Sequence, residues 1–504
     1  MNRLALSLSL FALSLPGVAA CGPKTSSAVD VAATVAAPPR DPNAWRATTP
    51  APGLEKPYQP PAATRFVLSN GVPVFLVQQG DLPLVSVRLW MGVGREANPP
   101  GKAGLIAMTA TMLDEGTKTR DSAAIAGDAA LLGAELSISA GDESTVVALD
   151  ALTGSTLGPS LDLMADVVLR PKLDKKDFAR MQGDTLAAIQ AASAEPNDTA
   201  RRVFLGQLFG ADHPYGTPGV GTTTSVTALR LADIKKAYAE YWHSGNAAFV
   251  VVGKVDEATA KAELESRFGS WKAGKSKRAE VAPPVAPMKL RVVFREQAGS
   301  VQSVVRVGTL APSRTGDGYW REQVAVTLFG GMFSSRLNMA LREEKGWSYG
   351  AYAGNSDSRD HGIFQARTSV QADKTAESLQ VILDELAAQA NRAPTDAELK
   401  LTRDSLTKSL PGNFESNAAT AGAFLQLPGF GMPVDTWRSY SAHVNGVAID
   451  AVAAASKQRL DTTHMLAVVV GPRTIEVDDG KGVKTTVDVV ASLKAMGHEF
   501  VEVK

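Results

Sequence analysis

Few residues in this 504-residue chain are of types that could act on a substrate together, and they concentrate in residues 330–353, GGMFSSRLNMALREEKGWSYGAYA. Gly330 and Gly331 open the stretch with a backbone free of Cβ constraints. Ser334 and Ser335 offer N-cap hydroxyls to a helix beginning near Arg336, in which Leu337, Ala340 and Leu341 share one face. Gly346 ends that helix where a left-handed residue is cheapest, and Tyr349 enters an extended YGAYAG run. Arg342 and Tyr349 therefore flank a single turn. A guanidinium and a phenol are both hydrogen-bond donors. The same residues read equally well as structure, with Arg342 paired to Glu343 or Glu344 and Tyr349 packed on a sheet. Both readings stand at this point.

The rest of the titratable inventory excludes more than it offers. Six histidines (His213, His243, His361, His443, His464 and His498) are scattered so that no two share a helical turn, which gives no histidine-rich metal cluster. A single cysteine rules out a disulfide framework within the chain. The 52 basic and 52 acidic side chains cancel, which argues against a nucleic-acid partner held by phosphate neutralisation.

The lone cysteine is informative by position. Residues 1–21, MNRLALSLSLFALSLPGVAAC, combine basic Arg3 with an apolar run too short to span a bilayer. The VAAC end is similar to a bacterial lipobox, so residues 1–21 are expected to be a lipoprotein signal peptide and Cys21 the lipidated residue. By analogy with lipoproteins, Gly22 in place of an aspartate implies the outer membrane, facing the periplasm of a bacterial cell envelope. Residues 22–63, rich in Pro and Ala, are expected to be an extended tether.

The elements that must position Arg342 and Tyr349 recur along the chain. RFVLSNGVPVFLVQQ reads as two strands about Asn70-Gly71, followed by the strand VSVRLWMGVG, a helix over 104–113, paired strands, and a long helix from Lys175. VSVRLWMGVG is echoed by SVVRVGTLAP at an offset of 218 residues, and AFVVVGKV by LAVVVGPR at the same offset. The helix near Asp177 is matched near Glu398, 221 residues on. This near-constant spacing predicts an α+β fold of two homologous domains, each an antiparallel-type sheet with packed helices, over 64–272 and 290–504. The charged, proline-rich segment 273–289 is the expected linker.

With the duplication in view, the chain from Arg65 onward resembles the insulinase/pitrilysin-type metallopeptidases, which include the mitochondrial processing peptidase. The resemblance rests on the strand order, the G-x-E loop after Gly94, HPYG, GTTTSV and residues 330–353. It implies the mitochondrial processing peptidase-like fold and an inverted zinc motif, H-x-x-E-H, on the helix GLIAMTATMLDEGT. Here the two histidine positions are Ala107 and Thr111, the base position is Ala110, and the distal glutamate position is Ala188. Alanine carries no donor for zinc. Without a metal a water keeps its pKa near 15.7 rather than about 7. Asp114 and Glu115, just beyond that helix, are expected to be a solvated helix end.

The resemblance further implies that Arg342 and Tyr349 carry the substrate-positioning and transition-state roles of the family's second domain, with Gly330 and Gly331 as substrate contacts. Zinc is then expected on a partner, a homologous zinc-bearing peptidase subunit, and this chain, without cofactor of its own, completes a heterodimeric endopeptidase acting on peptides. The alternative is a non-catalytic peptide-binding or assembly protein of the cell envelope.

Overall fold

The computed structural model describes residues 43–503 except 52, 55, 276, 277, 286 and 479–481. The expected signal peptide, Cys21 and the first half of the tether lie outside the described residues. The chain divides into two compact units, Met1–Pro57 and Tyr58–Lys504. The described part of the first unit contains one turn of 3-10 helix, Ala44–Ala47.

The second unit is built on two six-stranded sheets. The first comprises β1 (Thr64–Val67), β2 (Pro73–Gln78), β3 (Leu84–Met91), β4 (Glu135–Ala140), β5 (Thr145–Leu152) and β6 (Ala247–Gly253), in the order β1-β2-β6-β3-β5-β4. The second comprises β7 (Arg291–Glu296), β8 (Gln302–Ala311), β9 (Ser348–Ser356), β10 (Gly362–Gln371), β11 (Leu466–Gly471) and β14 (Glu499–Val503), in the order β14-β7-β11-β8-β10-β9. A hairpin of β12 (Thr474–Asp478) and β13 (Lys484–Asp488) stands apart. Five strands of each sheet correspond one to one, and the sixth place is filled from opposite ends of the chain, by β1 and by β14. The sheets are mixed rather than antiparallel throughout, because β2 pairs with β6, and β7 with β11 and β14, in parallel. The long segments between these strands include helices and further strands, and they return the chain in the same direction. β6 (AAFVVVG) and β11 (LAVVVG) are buried along their whole length, as their unbroken apolar runs require of central strands.

Each half covers the other's sheet. Helix Pro196–Phe209, from the first half, lays Ala200, Phe204 and Leu208 on Val293, Val304, Val468 and Val470 of the second sheet. In return, Ala421, Phe424, Leu427 and Trp437 pack on Phe75, Val77, Val250 and Val252 of the first. Neither sheet buries both faces without the other half, so the unit is one interlocked core.

Candidate functional site

The helix expected to carry a zinc motif runs Leu105–Thr111 and packs on β4 and on helix Lys175–Ala194. Ala110 faces the core at 1% exposure, while Ala107 is half-buried and Thr111 exposed. The Thr111 hydroxyl is turned back onto the carbonyl of Ala107 at 2.9 Å, the usual way a helical threonine satisfies itself. Ala188 is exposed on the neighbouring helix. The two helices touch, yet these four positions offer only three alanine methyl groups and one self-satisfied hydroxyl. Such a set does not fit zinc, and among the described residues no three of His, Cys, Asp and Glu are grouped to hold a metal. Asp114 and Glu115 are not a simple solvated end. Burial raises the Asp114 carboxyl, and Glu115 is ion-paired to Arg180 on the long helix.

The equivalent helix of the second half is wound differently. Residues Arg336–Asn338 form one α-turn, and Met339–Glu344 continue as a π-helix. Wide π-turns are uncommon and concentrate at functional sites. Ser335 stands at the N-cap, but its hydroxyl is buried and makes no capping bond, so the expected hydroxyl cap is absent. Gly346 closes the turn at φ +66°, with its amide donating to the Arg342 carbonyl at 3.1 Å. Gly330 and Gly331 end a second π-segment, Thr327–Gly331. Gly330 is buried with no room for a side chain, since a Cβ there would lie 2.5 Å from the amide nitrogen of Ala353 on β9. Gly330 packs against β9, and of the two glycines expected to contact substrate Gly331 is the exposed one.

Arg342 and Tyr349 emerge on either side of this turn. The Arg342 guanidinium lies over the Phe333 ring, 4.6 Å from its centroid, and pairs with Glu343 at 3.4 Å. Its side chain keeps 38% of its surface in solvent. Tyr349 is 90% exposed and does not pack on the sheet. It sits where the β9–β10 register shifts, Ser348 pairing with Val370 but Ala351 with Thr368. Such a bulge re-aims the residue that it leaves unpaired. The distortion is held by the Ser348 hydroxyl, which contacts Thr368 Oγ1 at 2.7 Å, donates to the Ser369 carbonyl at 2.8 Å and accepts from the Gly350 amide at 3.0 Å. The structure thus presents a tyrosine to solvent on a fixed backbone, seven residues after an arginine that is stacked but accessible.

A second cluster was not singled out in the sequence, although its segments were. The G-x-E loop after Gly94 places Arg95 and Glu96 in the interior. Arg95 pairs with Asp142 at 2.9 Å and stacks on Tyr215 of the HPYG segment. Tyr215 donates its hydroxyl to Glu143 at 2.8 Å, and Glu143 also accepts from the Arg359 amide at 3.0 Å and pairs with Arg278 at 3.4 Å. The loop, the β4–β5 turn, the linker and the second half therefore meet at Glu143. Glu96 lies beside them, 4% exposed and without a well-formed hydrogen bond to either oxygen. Burial pushes its carboxyl up to about 7, and nearby Gly94 and Glu96 amides and Arg278 restrain the rise only in part.

Comparison with known proteins is consistent in both halves. The family model described as Insulinase (Peptidase family M16) matches residues 74–216, and that described as Peptidase M16 inactive domain matches residues 228–406. Together they span well over half of the chain. An uncharacterized zinc protease of Mycobacterium tuberculosis is 28% identical over 368 residues, 71% of this chain and 82% of that protein. One from Streptomyces coelicolor is 25% identical over 343 residues, 66% of this chain and 73% of its own length. Among solved structures, a peptidase M16 inactive domain from Pseudomonas fluorescens superposes with a TM-score of 0.76 at 25% identity, covering 81% of this chain and 98% of that one. A protease from Helicobacter pylori gives 0.75 at 19% identity over 82% and 100%.

Proposed function

The chain belongs to the insulinase family of peptidases, M16, and on that premise we propose that it is the metal-free subunit of a two-chain zinc metalloendopeptidase. In this reading Arg342 and Tyr349 project onto a zinc site carried by a homologous partner subunit. There they position a peptide and donate to the oxyanion that forms when its carbonyl is attacked. The observation that carries the reading is the contrast between equivalent places in the two halves. The first has Ala107, Ala110 and Thr111 where metal chemistry would need donors, and the second holds a 90% exposed Tyr349 on a pinned bulge. An aromatic side chain held out to water contributes nothing to the fold that would account for such a framework. Relatives named zinc proteases, and a neighbour described as an inactive domain, support a division of labour between chains.

The test is co-purification from the native membrane, followed by peptide hydrolysis by this chain reconstituted with any zinc-bearing homologue so recovered. Tyr349→Phe and Arg342→Ala are each expected to lower the rate by about 10²–10³, the usual effect of removing one oxyanion donor. Unchanged hydrolysis by both variants would sink the composite site. A second reading is favoured by the stacking of Arg342 on Phe333 and its pairing with Glu343, which satisfy the arginine within the chain. Under it the protein is a peptide-binding or assembly protein of the cell envelope, and the same variants would weaken complex formation while sparing the rate. We propose for either reading that lipidated Cys21 anchors the chain to the outer membrane. Cys21→Ser is then expected to move it from the membrane to the soluble fraction.

A further inference from the structure

The duplication allows each sheet to serve as a control for the other. Arg88 on β3 and Arg306 on β8 occupy the same place, Arg88 facing Ala148 across the ladder and Arg306 facing Arg367. In the first sheet the charge is answered, since Arg88 donates to both carboxylate oxygens of Asp150 at 3.0 Å. The place of Asp150 in the second sheet is taken by Ser369, by the same register. The second sheet thus lacks the acid and adds an arginine opposite.

Arg306 is only 6% exposed and is held by neutral acceptors, Gln365 Oε1 at 2.5 Å and the Asn197 carbonyl at 3.3 Å. Its Nε has no partner. Burial and the like charges of Arg367 and Arg201 push this guanidinium down to about 10, with Asp198 offsetting the effect only in part. An arriving anion would relieve that repulsion. Arg201, from helix Pro196–Phe209, and Arg367 line a groove of about 310 Å³ whose other wall includes Tyr352 and Asn355 of β9. Arg95 and Asp142 also line it, paired with each other at 2.9 Å, so the two add no net charge to the groove. Among the described residues neither Arg201 nor Arg367 has an ion pair.

We propose that this groove is a carboxylate subsite, in which Arg201 and Arg367 bind an acidic side chain or a free C-terminus of an extended peptide lying along β9. Arg306 is the fixed charge beneath them. The proposal rests on the peptide-binding reading above and adds a sequence preference to it. Two features point to a peptide as the source of the anion. β9 is an edge strand, bonded on one side only to β10, the arrangement that accepts an extended chain. The groove is at the small end of ligand sites, large enough for one acidic residue and its water. Planar guanidinium groups suit a carboxylate because they can donate two parallel hydrogen bonds.

The test uses the purified chain without a partner and short fluorescein-labelled peptides that differ only at a central Glu or Gln, each with a free or an amidated C-terminus. By anisotropy at physiological salt, the Glu peptide or the free acid is expected to bind about tenfold more tightly than its neutral counterpart. Which pair differs identifies the source of the carboxylate. The preference is expected to fall below about twofold in Arg367→Gln, and likewise in Ser369→Asp, which supplies the acid that the first sheet has. Circular dichroism and the thermal midpoint check that both variants fold. Equal binding of charged and neutral peptides overturns the subsite and leaves peptide binding standing. A preference that survives both variants overturns its location, and no binding of any peptide removes the underlying reading with it.

Discussion

Replacing Glu96 with glutamine is expected to stabilise the protein at neutral and alkaline pH and to leave it nearly unaffected near pH 4.5. The buried carboxyl titrates at about 7 in the folded protein, against an ordinary value of 4.5. Between those values the folded state keeps a proton that the unfolded chain releases, so stability falls as pH rises. Each pH unit within that window costs up to about 1.4 kcal/mol, and the whole passage about 3 kcal/mol, with no further loss above pH 7. Glutamine keeps the shape, carries no charge and has no such slope. The measurement is urea denaturation of both proteins at half-unit steps from pH 4.5 to 8.5. Because the halves cover each other's sheets, one cooperative transition is expected. The difference between the proteins should open from near zero to about 3 kcal/mol and then stay level. Parallel profiles would refute the reasoning, as would a wild-type protein that gains stability over this range relative to the variant.

Phe204→Ala, which empties the fully buried contact between helix Pro196–Phe209 and the second sheet, is expected to cost about 3–5 kcal/mol. Because the core is interlocked, amide exchange should speed up in β3 as well as in β8; an effect confined to β8 would contradict that description. Gly330→Ala forces a Cβ to within 2.5 Å of the Ala353 amide nitrogen, so a loss of about 1–3 kcal/mol is expected in thermal or urea unfolding, with weaker exchange protection in β9. A variant as stable as the parent would show that β9 can move away freely.

The duplicated strand order could be read from the sequence because a central strand announces itself locally. AFVVVGKV and LAVVVGPR are apolar runs that can only be buried. The helix over 104–113 was equally legible and is formed over Leu105–Thr111, carrying Ala107, Ala110 and Thr111. What the sequence withheld depends on register and on long-range meetings. Glu143 and Arg359 are 216 residues apart, and nothing near either marks the other as a partner. The difference between Arg88 and Arg306 is invisible until the ladder shows Asp150 beside one and Ser369 in its place beside the other. The close approach of Gly330 to Ala353 was hidden for a related reason: a glycine permits an exposed turn and a close approach alike, and only the position of β9 decides. The π-winding of Met339–Glu344 has no periodic signature over so few residues.

Strand β9 links the two proposals by simple geometry. Tyr349 lies near its start, and Tyr352 to Asn355, which line the arginine groove, lie three to six residues further on. At about 3.3 Å per residue these are separated by roughly 10–20 Å along the strand. A peptide extended along β9 advances at the same rate, so a carboxylate seated by Arg201 and Arg367 would hold the bond opposite Tyr349 roughly three to six residues away. Walking one glutamate along an otherwise neutral peptide and mapping the products by mass spectrometry reads this offset directly. The cut made by the reconstituted complex is expected to move in step with the glutamate, and to lose that dependence in Arg367→Gln. A cut that stays fixed while the glutamate moves would mean that the groove and Tyr349 do not act on the same peptide, even if each binds one.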